Sequence, residues 1–227
     1  MIVGIGLRTY FSIQHLQAAA YFAKQSKELE AGSVHHASEL TGSHVRKAYV
    51  TGSLLSSIAF MEALINELYA DAATSDGAHL ESLGEKDRAL IAQLGETPTV
   101  ERAPILSKFD ILLRAAGREP IKRDSSPGQD AALAIQLRNE LAHTKAEFFD
   151  WGTSDFVRAG NFYESKLAKG IAGRFPSGIG STGESDAWIG SGCAEWALRS
   201  TLSYVDKVFQ DLGIKPIYDH VRRDLAV

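Results

Sequence analysis

The chain has 227 residues, a length that suits one large domain or two small ones; 44% of them are hydrophobic and 23% charged, which excludes a largely disordered chain. A formal net charge of −4 at pH 7 excludes whole-molecule attraction to phosphate, so any nucleic acid must be held by a local basic patch. A single cysteine, Cys193, excludes an intrachain disulfide and a cysteine-based zinc cage, and accords with a reducing compartment.

No apolar run approaches the length of a membrane span. The opening Met1-Ile-Val-Gly-Ile-Gly-Leu-Arg8 places its first positive charge after the apolar stretch, the reverse of a secretory leader. The expectation is a cytoplasmic chain without membrane contact. All six prolines lie at or after Pro98, so no missing N–H breaks a helix before it. An extra N-terminal helix is expected over 9–31, with Phe11, Ile13, Leu16, Ala20 and Ala23 as a ragged apolar face. A longer helix is expected over 43–73, where Leu54, Ile58, Met61, Ile65 and Leu68 recur at steps of four and three.

A connection then carries a short helix over 85–94. Pro104 sits in a first helical turn, Ile105, Phe109, Leu112, Leu113 and Ala116 follow as a stripe, and Gly117 closes it. Arg118 to Gln129 reads as a loop. Ser126-Pro127 reads as an N-cap followed by proline at the first helical position, opening a helix over 129–148. Glycines crowd into an irregular excursion over 150–192, where Phe156-Val157 and Phe162-Tyr163 form a candidate hairpin. Leu198, Leu202, Val205, Phe209 and Leu212 make the last stripe, in a helix over 193–213 ended by Gly213 and Pro216. The expected fold is all-α: a single helical bundle of about five main helices, its core helices within 43–148 and 193–213.

Several motifs match chemistry by letters alone. Gly178-Ile-Gly180-Ser-Thr-Gly183 spells a dinucleotide fingerprint, but Phe175-Pro176-Ser177 before it and Glu184-Ser-Asp186 after it supply neither the strand nor the apolar helix that a pyrophosphate site needs. Glu140-Leu-Ala-His143 matches one arm of a di-iron site, which requires a second such arm that the chain lacks. His35, His36 and His44 gather near Glu39 without the i, i+4 spacing that chelates from one helical face. Cys193 opens a helix, where the dipole favours a thiolate, yet with no fixed base nearby it reads as a small buried residue. No metal and no cofactor are expected.

One constellation stands apart: Ile135-Gln-Leu-Arg138-Asn139-Glu-Leu-Ala-His143. Asn139 and His143 share a helical face roughly 6 Å apart along the axis. Arg138 lies about 140° round from His143, so only its long arm reaches a common ligand. Leu133, Leu137 and Leu141 form the buried stripe beside them. A planar double donor, an amide and an imidazole that titrates near neutrality suit a phosphate.

This stretch resembles the HEPN (higher eukaryote and prokaryote nucleotide-binding) family, all-helical bundles with an Arg-x-x-x-x-His-type motif whose Arg is commonly followed by a polar residue. Arg8-Thr-Tyr-Phe-Ser-Ile-Gln-His15 is a looser match, with six residues between its Arg and His. The later copy has the Arg-Asn pairing, an amphipathic helix and a preceding helix and loop in the family's order. Ser57-Ile-Ala-Phe-Met-Glu62-Ala-Leu-Ile-Asn66-Glu-Leu-Tyr69 is similar to the family's earlier long helix. The resemblance implies a metal-independent RNA endonuclease, of the toxin or phage-defence kind, that leaves a 2′,3′-cyclic phosphate. His143 would be the general acid or base, Arg138 would stabilise the phosphorane, and Asn139 would orient the phosphate or the imidazole.

It further implies a homodimer that brings two motifs into one cleft, with an antitoxin as a possible partner. Glu62 and Asn66, at i, i+4, are either supporting residues behind the site or a solvent-exposed or intrahelical pair. Phe148, Phe149 and Trp151 either stack on bases or plug the core. Arg114, Arg118, Lys122, Arg123 and Lys145 form the one basic region near the motif; it either guides RNA or is a solvated loop edge. The alternative is a non-catalytic HEPN module that binds nucleotide or RNA, or scaffolds a partner protein.

Overall fold

Without proline before residue 98, the first part of the chain runs in long helices whose apolar stripes meet. The computed structural model describes residues 10–33, 39–74, 79–142, 166–176 and 190–226. Among these residues the regular elements are all helical. They are α1 (Phe11–Ser33), α2 (Glu39–Ala72), α3 (Glu85–Gly95), α4 (Pro98–Glu101), α5 (Ile105–Ala115), α6 (Gly128–Ala142), α7 (Lys166–Ile171), α8 (Ser191–Leu212) and a 3-10 segment, Asp219–Leu225. The chain is all-α.

α1 and α2 form an antiparallel pair, and α8 packs against both. Contacts between Ser12 and Glu67, and between Ser53 and Ala19, set the antiparallel register. The Ser53 hydroxyl donates to the carbonyl of Ala19 at 3.0 Å and also faces that of Ala194 at 3.4 Å, so one small residue joins three helices. The stripe Leu54, Ile58, Met61, Ile65 and Leu68 is fully buried, as are Leu198, Val205, Phe209 and Leu212 on α8, while Leu202 is half-buried. Burial of each such side chain is worth about 1.5–3 kcal/mol, which makes this three-helix seam the main source of stability.

Two of these helices start against a carboxylate from a neighbour. Glu67 of α2 takes the backbone N–H of Ser12 at 2.9 Å and also the Ser12 hydroxyl, at the start of α1. Glu30 of α1 does the same for Ser191, whose N–H lies 3.1 Å away, at the start of α8. Each acid satisfies an orphan donor and faces the positive end of a helix dipole. At the other ends, α5 closes with Gly117 at φ +68°, where Arg118 N donates to Leu113 O at 2.8 Å and Gly117 N to Arg114 O at 3.0 Å. α8 closes likewise on Gly213 at φ +70°.

The 3-10 segment is fastened to α8 by polar contacts round Tyr218. The Tyr218 hydroxyl donates to Asp206 at 2.7 Å, Arg222 grips the same carboxylate through both terminal nitrogens, and its guanidinium lies over the Tyr218 ring.

Several expectations need correction. Phe11 does not join the α1 core face but is 56% exposed; the face is carried by Leu16, Ala19, Ala20 and Ala23. The N-cap expected at Ser126 is absent: α6 starts at Gly128, and the Ser126–Pro127 bond is cis. Pro104 occupies the N-cap of α5, not its first turn. Part of the excursion expected to be irregular is helical, as α7. The 29-residue stretch His44–Ala72 is long and apolar enough to cross a membrane, against the expectation that no such run exists. Its serines and threonine break the apolar run in the sequence without breaking the helix, which here is the bundle's central element, packed between α1 and α8. The hairpin expected at Phe156-Val157 and Phe162-Tyr163, His35, His36 and the Gly178–Gly183 motif lie outside the described residues.

Candidate functional site

The helix that carries the Arg-Asn motif is held at its start by close backbone packing. Gly128 lies so near the Lys122 carbonyl that a Cβ would stand 2.0 Å from its oxygen. The first turn closes through Gln129 N to Ser125 O at 2.9 Å and Ala131 N to Pro127 O at 3.1 Å. Arg174, just past α7, clamps that turn: it pairs with Asp130, donates to Gln129 Oε1 at 2.7 Å, and anchors itself on Gly170 O at 3.0 Å. Gly170 in turn closes on Leu133, whose Cδ2 would lie 2.6 Å from an added Cβ. Nothing in the local sequence announces Arg174, which is 44 residues from Asp130.

Beyond the clamp, Ala131, Leu133, Ala134 and Leu137 bury the face of α6 turned to α8 and α2, and Leu141 is half-buried. Arg138 follows Leu137 at the edge of this face and is half-buried. Its Nε is sealed from solvent with no hydrogen-bond acceptor, and among the described residues no carboxylate pairs with the guanidinium. Asn139 beside it is exposed. Among the described residues, then, a guanidinium without a paired carboxylate stands next to a solvent-facing amide. His143 lies outside the described residues, as do Lys145, Phe148, Phe149 and Trp151.

The basic residues divide differently from the expectation of one region. Arg114 and Arg118 are exposed; Arg123 is taken by Asp110 in an ion pair. Burial pushes the Asp110 carboxyl up, against the opposing pull of Arg123 and then Arg114. Arg118 and Lys122 line a cavity of about 520 Å³ by the start of α6, together with Ser125, Ser126, Glu119 and an ion pair of Lys207 with Asp211. Ten residues of helix separate that end from Arg138, about 15 Å along the axis. A phosphate chain that touches both must run along α6.

Glu62 and Asn66 are exposed on α2, and the structure does not bring them to α6. They line a cavity of about 510 Å³ formed with α3, α4 and α5, and no α6 residue lines it. The partner of Asn66 is Lys108, whose Nζ donates to its Oδ1 at 3.0 Å. Sequence reasoning missed Lys108. Its signal was a charged residue amid the α5 stripe, one position before Phe109.

Cys193 is fully buried near the start of α8, and burial pushes its thiol up to about 12, the opposite of the activation that a helix start favours. His44 is exposed. Among the described residues no group of three His, Cys, Asp or Glu is placed to hold a metal ion. Comparison of the chain with protein-family models, with curated proteins and with solved structures finds no match.

Proposed function

We propose that the chain is a HEPN-type ribonuclease that cuts RNA without a metal ion, through Arg138, Asn139 and His143. The observation that carries this reading is the half-buried Arg138, whose Nε has no acceptor, beside exposed Asn139 on one turn of α6. A buried donor left unpaired costs about 1–3 kcal/mol, so an anion that reorders this guanidinium recovers energy the free protein lacks. A phosphodiester is such an anion, and the motif places an imidazole five residues on.

In this reading the RNA 2′-hydroxyl loses its proton as its oxygen attacks the adjacent phosphorus. The bond from phosphorus to the 5′-oxygen breaks, and that oxygen takes up a proton. His143 serves one of these two transfers, and Arg138 faces the charge that gathers on the phosphorane. Two protomers meet along a two-fold axis so that Arg138 of one faces His143 of its partner, which removes the angular separation within a single helix. The site works on cytoplasmic RNA, and an antitoxin is the partner that such an activity calls for.

The test is incubation of a structured RNA with the chain in excess EDTA. Cleavage by the wild-type chain that falls about 10²–10⁴-fold in His143→Ala supports the reading. RNA left intact by the wild-type chain, with saturable nucleotide or RNA binding, replaces it with the non-catalytic module.

A further inference from the structure

The cavity of about 510 Å³ among α2, α3, α4 and α5 belongs to no part of the RNA reading. Its most unusual member is Lys108, which is 5% exposed. A lysine this buried is almost always matched by a carboxylate, because a desolvated ammonium is costly unless paired. Lys108 has a neutral amide instead, Asn66 Oδ1 at 3.0 Å, and among the described residues no carboxylate pairs with it. Among the described residues one of its three donors is used, and Lys108 is part of the cavity lining.

The exposed part of the same lining carries Glu62, Glu96 and Glu101, none of them in an ion pair among the described residues. These charges decide between ligands. A simple anion would satisfy Lys108 but meet three carboxylates; a simple cation would meet the carboxylates but face a buried ammonium. A ligand that carries both signs satisfies both ends, and a lining with one cation and three carboxylates favours a ligand with more positive groups than negative ones. Tyr69 and Val100 add an apolar wall for a short aliphatic spacer.

We propose that this cavity binds a small zwitterion with one carboxylate and two cationic groups, the class of the basic amino acids. The carboxylate seats on Lys108 Nζ, and the cationic groups lie among Glu62, Glu96 and Glu101. Asn66 is a positioning residue that holds the ammonium toward the cavity.

The experiment is isothermal titration of the full chain with L-arginine and L-lysine, beside agmatine and L-arginine methyl ester, which lack the carboxylate, and acetate, which lacks the cations. The expected result is saturable binding of one or both amino acids. The two compounds without a carboxylate should bind about a hundredfold more weakly. Lys108→Met should impose the same loss, and Glu62→Gln about a two- to fivefold loss, with unchanged circular dichroism. His143→Ala should bind as wild type does, which separates this proposal from the RNA reading. Absence of saturable binding by both amino acids overturns it, and so does agmatine binding as tightly as arginine. The ligand series on the wild-type chain decides the matter even where Lys108→Met does not fold.

Discussion

Arg138 is the residue on which stability and function part. Its Nε is buried without an acceptor, so removing the guanidinium removes a cost along with any contact to substrate. Arg138→Met, which keeps the apolar stem, should leave the unfolding free energy from a denaturant titration within about 1 kcal/mol of wild type or raise it. The same variant should lower RNA cleavage in EDTA by about 10²–10³-fold. A large loss of stability would mean that the arginine is a structural strut. Cys193 offers a second residue-scale check. Its folded value of about 12 lies above the ordinary 9.0, so the folded state holds the proton more firmly. The resulting stability is whole below pH 9.0 and is lost as pH rises toward about 12. Relative to Cys193→Ala, the wild-type urea midpoint should therefore fall across that window. At pH 8 the native thiol should resist a disulfide reagent that labels the unfolded chain at once.

At the scale of elements, α6 depends on close approach rather than on a side-chain cap. Gly128→Ala would press a Cβ to 2.0 Å from the Lys122 carbonyl, so loop or helix must move. The expected cost is about 1–3 kcal/mol, read as a lower Tm, and RNA cleavage should fall with it because Arg138 rides on the displaced helix. This feature also marks how far the sequence could be read. The stripes of α2, α5 and α8 were legible because helical periodicity is local, and Leu54 or Phe109 needs no knowledge of what covers it. α4 was not: Thr97-Pro98 opens a single turn that looks like a connection. α7 was hidden among glycines that, read locally, spell loop. The expected Ser126 cap failed because α6 begins only at Gly128; the close approach there shows in the sequence as a lone glycine after Pro127, which read locally spells loop.

At the scale of the whole molecule, the adjacency of Arg138 and Asn139 on one helix was legible, and the surroundings of Glu62 and Asn66 were not. Arg138 and Asn139 fall together because four-residue reasoning suffices on a helix. The placing of Glu62 and Asn66 required knowing which helix lies opposite, and the answer, Lys108, stands 42 residues from Asn66. The net charge of −4 sets a further constraint on the proposed function: it predicts that RNA is met by local charge such as Arg118 and Lys122, with association that weakens steeply as salt rises. The central claim is that Arg138 of one protomer and His143 of its partner act on one phosphodiester. The measurement that reaches it is RNA cleavage in EDTA by Arg138→Met and His143→Ala, each alone and then mixed under conditions where subunits exchange. Random exchange makes half the dimers mixed, each with one intact site of two, so the mixture should regain about a quarter of wild-type activity and leave 2′,3′-cyclic ends. A mixture that exchanges subunits yet cuts no faster than the two variants alone would contradict the account.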